Sequence, residues 1–386
     1  MANDPIYLDH NATTPLDEEV KRAMVESLPL FGNPSSSHCF GAAAKAAIEK
    51  ARGQVARLIM AEPHEVVFTS GGTEANNLAI LGTALRKREG HLITSVIEHP
   101  SVSNPVRWLE ERDYDVSWIP VDADGRIDPG AVRKAIRKDT LLITLMHSNN
   151  ETGVLQPIEE VGALAREYGV PFHSDAAQSV GKVEVRVPEL GVDMLTVVSH
   201  KFYGPKGVGA LSIKGWGKEG CPPGSAAHWP VPLLFGAGHE RGLRPGTENT
   251  VGIVGLGAAC EGAHRHLSER FEHSRTLREM LFSLLSEELD IRLNGHAEAR
   301  LPNTLNIAVR GSIGEDLVAA LGDVLAFSAG SACHAGIRRP SSVLKAMGIS
   351  DQDALSSVRL SVGKDNTPGE MRKAAALLGE CARKGR

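Results

Sequence analysis

Apolar and polar positions along this chain follow two alternating periods. From Gly41 to Met60 (GAAAKAAIEKARGQVARLIM) the apolar residues return at helical spacing, which predicts a helix, and the run EVVFTS that follows is β-rich and ends in Ser-Gly-Gly. The exchange repeats through the first two thirds of the sequence. A short strand is predicted at IYLD, helices from about Thr73, from Ser101 to Arg112 and from Pro129 to Lys138, and strands at HLITS, DVSWIPV, TLLITLM, VPFHSDA, DMLTVVS and GVGALSI. The apolar strands among these read as buried on both faces. Strands alternating with helices predict an α/β architecture built on a mainly parallel sheet.

From about Asn249 the period changes to one long helical pattern that runs to Leu289. Beyond it, LNIAV, the helix DLVAALGD, the strand-like FSAGS, the helix SSVLKAMG, the strand VRLSVG and a terminal helix predict a separate α+β unit. A chain of 386 residues and 41.2 kDa is too long for one small core, so a large domain with a smaller companion is expected. The stretch CPPGSAAHWPVP reads as a surface loop. There is no internal repeat.

Composition narrows the function classes. A net charge of -5 gives no basic stripe, which argues against direct nucleic-acid binding and leaves small molecules and proteins as partners. No cationic segment opens the chain ahead of an apolar run, and no stretch reaches the roughly 20 apolar residues that a membrane span needs, so no membrane association and a cytoplasmic location are expected. The 5 cysteines are odd in number and widely spaced with no CxxC pair, which predicts free thiols and neither a metal site nor a disulfide framework.

Four stretches could carry chemistry. In TSGGTEANN a strand runs into Ser-Gly-Gly with a helix starting at Thr73, so free backbone N–H groups face the loop and could cradle a phosphate; the motif is equally compatible with a plain N-cap. In HSDAAQSVGK, Asp175 ends an apolar strand, where it could pair with a cationic ring nitrogen or simply cap a helix. In SHKFYGPKG, Lys201 directly follows a buried strand, where desolvation would lower its pKa and make it a Schiff-base candidate, unless it reaches solvent. FSAGSACHAG sets one thiol, Cys333, among residues too small to bury it.

Taken together these stretches resemble pyridoxal-phosphate enzymes of fold type I, the class V aminotransferase group, and within it the cysteine desulfurases of the NifS and IscS type. The resemblance covers nearly the whole chain, through YLDHNATTP, FGNPSSSH, FTSGGTEANN, ITSVIEHPSV, SNNETGVLQP, SDAAQSVGK, SHKFYGPKGVGAL, GHERGLRPGTEN, SAGSACHAG and VRLSVG in family order. It implies a large cofactor-binding domain over residues 16–257 with a mainly parallel seven-stranded sheet. Residues 1–15 and 258–386 would form the smaller α+β domain. It also implies that Lys201 carries pyridoxal 5'-phosphate, that Asp175 pairs with its ring nitrogen, that Gln178 bonds its phenolic oxygen, and that His99 stacks on the ring and shuttles protons. Asn150 would lie beside the phenolic oxygen and the substrate carboxylate. Gly72, Thr73 and His200 would hold the phosphate, with Thr247 supplied by the second subunit of a homodimer. Arg359 would clamp the substrate carboxylate with Asn11 close by, and Cys333 would take sulfur from L-cysteine as a persulfide, leaving alanine, and pass it to an acceptor protein such as an iron–sulfur scaffold or a tRNA or DNA thiolation protein.

In that reading the small residues around Cys333 let the thiol travel, and His334, Arg338 and Arg339 could favour its thiolate. One departure stands out. Iron–sulfur assembly desulfurases usually carry Ser-Gly-His-Lys before the tyrosine, whereas this chain has Val198, Ser199, His200 and Lys201, so Ser199 is the candidate replacement for the phosphate-binding serine. His334, HKFYGP and RPGTENT are closer to selenocysteine lyases, which keeps L-selenocysteine as an alternative substrate. A transaminase or β-lyase of the same group is the nearest rival activity, and a non-catalytic scaffold the remote one.

Overall fold

The computed structural model describes residues 5–218, 229–329 and 339–384. Seven strands form the main sheet in the spatial order Val66–Thr69, Gly209–Ile213, Met194–Val198, Phe172–Asp175, Thr140–Met146, His91–Ser95 and Asp115–Ile119. Gly209–Ile213 runs antiparallel to both neighbours and the other pairs are parallel. The seven-stranded, mainly parallel sheet is therefore as expected. Its central strands are buried at every position but Leu141, which is why their sequences lack a polar alternation.

The helices start where side chains can satisfy the first free N–H groups. His38 caps Cys39–Ile59, His99 caps Pro100–Glu110, and Asp128 caps Pro129–Ala135. Two helices absent from the sequence reading, Glu18–Ser27 and Ile158–Tyr168, flank the site-bearing loops. The long pattern after Asn249 is one helix, Thr250–Glu288, of 39 residues. Its first half is rich in glycine and alanine and packs closely on Cys39–Ile59, while Leu277, Leu281 and Leu285 enter a second core. Position 257/258 thus lies inside a helix that serves both cores.

That second core covers a four-stranded antiparallel sheet in the order Ser328–Ala329, Ser357–Ser361, Thr304–Val309, Ile291–Leu293. Ile6–Tyr7 pairs in parallel with Leu325–Ala326. This pairing matters for the site, because it delivers Asp9 and Asn11 to the junction between the two sheets. No described helix is long and apolar enough to cross a membrane.

Candidate functional site

A cleft of about 410 Å³ opens beyond the ends of the central strands, in the size range usual for small-molecule sites. Asn11, Gly72, Thr73, His99, Asn150, Asp175, Gln178, His200, Lys201 and Arg359 all line it. A larger groove of about 1250 Å³ lies around the helices Gly314–Leu321 and Pro368–Lys384 and contains none of them.

The floor of the cleft comes from two strand ends. Phe172–Asp175 stops at Asp175, whose Oδ1 accepts from the Ala177 N–H at 2.9 Å and whose Oδ2 accepts from Asn76 Nδ2 at 2.7 Å. The same Asn76 amide donates to Ser101 Oγ at 2.8 Å, so one side chain of the helix Gly72–Ala84 locks the carboxylate to the next wall. Asn76 and Ser101 also line the cleft, and neither was among the sequence candidates. The signal available was spacing: Asn76 lies one turn beyond Thr73 on the same helix.

Met194–Val198 ends one turn before Lys201, which a short 3-10 turn directs into the cleft. Lys201 Nζ donates to the carbonyls of Asn11 and Ala12, both at 2.8 Å. Burial, reinforced by Arg359, pulls its pKa down to about 8, against the opposing pull of Asp175 and Asp9. About a tenth of the amine is therefore neutral at pH 7, far more than for an ordinary lysine, and the neutral form is the one that attacks an aldehyde.

His99 sits over the other side. Its Nδ1 accepts from the Ser101 N–H at 3.1 Å, which leaves the ring proton on Nε2 in the neutral form. Burial is the main reason its pKa is lowered, with Lys201 adding to the effect and Asp175 opposing it. His200 is likewise held neutral, at about 4, by burial and by the lysines near it, and its Nδ1 lies 3.1 Å from Thr13 Oγ1.

The helix Gly72–Ala84 begins without a side-chain cap. Gly71 precedes it at φ 146°, a conformation that side chains rarely adopt. Uncapped first-turn N–H groups at a cleft suit an anion. Arg359 closes the opposite end: Nη1 donates to the Asn150 carbonyl at 3.0 Å and Nη2 to Asp9 Oδ1 at 2.7 Å and Ser328 Oγ at 3.0 Å, while Nε has no partner among the described residues.

Asn11 joins these groups. Its carbonyl accepts from both Lys201 Nζ and Gln178 Nε2, and its side chain bonds Thr304 Oγ1 at 2.8 Å and Lys182 Nζ at 2.9 Å. Lys182, quoted within a motif but given no role there, is held well below the usual lysine pKa by burial and by Lys201 and Arg359, and it also donates to Gln178 Oε1 at 2.8 Å.

The family model for class V aminotransferases matches residues 6–373. The chain belongs to the class V aminotransferase family. Among relatives, the protein named cysteine desulfurase IscS from Anaeromyxobacter dehalogenans (strain 2CP-C) is 44% identical, with 98% of this chain and 93% of that one covered. A solved structure titled NifS-like protein superposes with a TM-score of 0.89 at 34% identity, over 98% of this chain and 100% of that one. Another, titled SspA in complex with cysteine, gives 0.81 at 37% identity over 94% and 100%.

Pyridoxal 5'-phosphate is the cofactor of this family, and the cleft fits it: an uncapped helix start for the phosphate, a carboxylate fixed by two donors, and a desolvated amine with only carbonyl partners. Ser199 does not take the place of the expected phosphate-binding serine. It is fully buried and does not line the cleft, and its Oγ fills the space that a Cβ on Gly204 would need. Val198 lines the cleft instead, with a methyl 2.6 Å from where a Cβ on Gly72 would be. Thr247 is exposed and does not line this cleft. Cys333, His334 and Arg338 lie outside the described residues, as does Cys221, while Cys39, Cys260 and Cys381 are free thiols. Among the described residues no cluster of three or more His, Cys, Asp or Glu could hold a metal ion.

Proposed function

We propose that this protein is a cysteine desulfurase, converting L-cysteine to L-alanine and placing the sulfur on Cys333 as a persulfide. The observation that carries the reading is the convergence of a desolvated Lys201, the pinned Asp175 and the Arg359 end wall on one cleft. The cysteine-desulfurase relatives over almost the full length support it, and so does a sequence that offers a thiol at Cys333.

When bound, pyridoxal 5'-phosphate supplies an electron sink for the substrate carbons. The chain's residues do the rest. Gly72, Thr73 and His200 receive the phosphate at the helix start, and Thr247 contributes from the second subunit of a homodimer. Lys201, with its lowered pKa, holds the cofactor and then accepts or returns a proton. Asp175, its side chain held in place by Asn76 and the Ala177 amide, would face the ring nitrogen. Gln178 would bond the phenolic oxygen, with Asn150 beside it and the substrate carboxylate. His99 works from Nε2, since Nδ1 is committed to Ser101. Arg359 and Asn11 orient the substrate carboxylate.

The Cys333 thiolate attacks the substrate sulfur. A sulfur–sulfur bond forms, the carbon–sulfur bond breaks, and a proton is delivered to the substrate β-carbon, so that cysteine and one thiol give alanine and one persulfide. The persulfide then passes to an acceptor protein such as an iron–sulfur scaffold or a thiolation enzyme.

The test incubates the purified holoenzyme with L-cysteine and, separately, L-selenocysteine, measuring alanine, sulfide and selenide, with mass analysis of the Cys333 peptide. The expected result is alanine from cysteine with one added sulfur on that peptide. Cys333→Ala should abolish both, and Lys201→Ala should remove the visible absorbance of the bound cofactor. Full alanine release by Cys333→Ala would defeat the persulfide mechanism.

A further inference from the structure

Tyr203 follows Lys201 by two positions and stands at φ 72°, in the left-handed region that bulky residues rarely adopt. Such a conformation persists only where its surroundings hold it. At the backbone the holding is done by Thr14. Its buried hydroxyl accepts from the Tyr203 N–H at 2.6 Å and donates to the His200 carbonyl at 3.1 Å, so one oxygen spans the turn that carries Lys201. The Thr14 N–H donates to the same His200 carbonyl at 2.9 Å. Loss of the hydroxyl alone would therefore leave His200 tied and release the Tyr203 amide.

The rest of Tyr203 has anchors of its own. Its phenolic oxygen accepts from the Lys364 N–H at 2.8 Å, and its carbonyl accepts from the Asp17 N–H at 3.1 Å. What Thr14 supplies is the acceptor for the amide. Thr14 also ends a segment in which every residue grips this turn: Asn11 and Ala12 offer their carbonyls to Lys201 Nζ, and Thr13 Oγ1 lies beside His200 Nδ1. The other end of the segment is fixed to the substrate-carboxylate wall, where Asp9 accepts from Arg359 and the Asn11 N–H donates to Ser361 Oγ at 3.0 Å. The strap Asp9–Thr14 thus joins the Arg359 wall to the lysine turn.

We propose that Thr14 is a positioning residue for Lys201: its hydroxyl, bridging His200 and Tyr203, fixes the turn so that the amine meets the cofactor at the spacing from Arg359 that the strap sets. The proposal rests on Lys201 as the residue that holds the cofactor. Misplacing a reacting group by an ångström costs on the order of 100-fold in rate, so even a partly relaxed turn is visible in rates while the groups that bind substrate stay where they are.

Thr14→Val keeps the shape of the side chain and loses the hydroxyl, whereas Thr14→Ser keeps the hydroxyl. Three readouts compare them with wild type: the rate at which the apoprotein captures pyridoxal 5'-phosphate as a visible band, kcat and KM of the holoenzyme for L-cysteine, and the urea midpoint. Thr14→Val should slow capture and lower kcat by about tenfold each, with KM within about twofold, and Thr14→Ser should recover most of both rates. Capture and kcat within about twofold of wild type in Thr14→Val would overturn the proposal even if the urea midpoint fell, because a purely structural role moves the midpoint alone. Thr14→Ser as slow as Thr14→Val would overturn it too, by assigning the effect to the methyl group. If Thr14→Val does not fold, Thr14→Ser still decides on capture and kcat, together with hydrogen exchange at the wild-type Tyr203 amide, which should be slow; exchange as fast as in an open chain would overturn the proposal. A visible band that survives Lys201→Ala is a separate failure, that of Lys201 as the cofactor-holding residue, and it is read in a protein with Thr14 intact.

Discussion

Val198 occupies the place where a hydroxyl would serve a phosphate better. It closes the strand Met194–Val198, is almost fully buried, and presses a methyl toward the uncapped helix start at Gly72. Replacing it with serine removes the methyls and brings an O–H to the same rim. A hydrogen bond to a charged group is worth about 1.5 kcal/mol, so Val198→Ser should bind pyridoxal 5'-phosphate about tenfold more tightly, with a small loss of folding stability from the missing methyls. Titrating the apoprotein with cofactor and following fluorescence checks this; unchanged affinity would mean that residue 198 does not meet the phosphate. The neighbouring position shows the limit of residue type as a guide. Ser199 carries the right functional group, but it is fully buried away from the cleft that Val198, His200 and Lys201 line, and that placement cannot be read from residue type.

At the scale of elements, the sequence displayed what depends on local pattern and hid what depends on packing. Buried strands and the 39-residue helix were visible because an unbroken apolar run and a sustained helical period are each compatible with few local structures. The chemistry-bearing loops were visible for a related reason, since each follows a strand whose end is marked by Gly, Ser or Asp. The contacts of Asn76 and Lys182 were not, because each is made with a partner far away in the chain, Asp175 and Asn11 respectively.

The close pairing of Thr250–Glu288 with Cys39–Ile59 is a further case. A Cβ on Gly257 would stand 2.5 Å from Gln54 Oε1, 2.7 Å from Ala51 Cβ and 2.8 Å from its Cα, and backbone cannot give way as a flexible side-chain end can. Helix propensity alone would favour alanine at an interior helical glycine by about 1 kcal/mol, but here overpacking opposes it with about 1–3 kcal/mol. Gly257→Ala should therefore lower the urea midpoint; a raised midpoint would show that the two helices can separate at little cost.

Across the whole molecule, buried ionisable groups set how stability depends on pH. His10, His147, His173 and His200 are each held at about 4 instead of the ordinary 6.5, in every case mainly by burial. Glu98 is raised to about 8 and Glu151 to about 7 from an ordinary 4.5, again by burial. A histidine with a lowered pKa takes up its proton later than in the unfolded chain, so its contribution is lost as pH falls from 6.5 toward 4. A carboxyl with a raised pKa works the other way: its contribution is full below 4.5 and is lost as pH rises through 7 and 8. Between 4.5 and 6.5 four histidines oppose two carboxyls, and the histidines win, so stability climbs with pH. From 6.5 to 8 the unfolded histidines give up the last of their protons, the carboxyls outweigh them, and stability declines; the lowered Lys182 and Lys201, the latter at about 8 against 10.5, oppose that decline. Urea midpoints of the apoprotein measured across this range should therefore peak near pH 6.5, and Glu98→Gln should flatten the alkaline limb and steepen the acid limb, where Glu98 opposes the histidines. A midpoint that keeps rising from 6.5 to 8 in the wild type, with no further rise in Glu98→Gln, would mean that the carboxyls do not govern this limb and that the lowered lysines, Lys182 and Lys201, outweigh them.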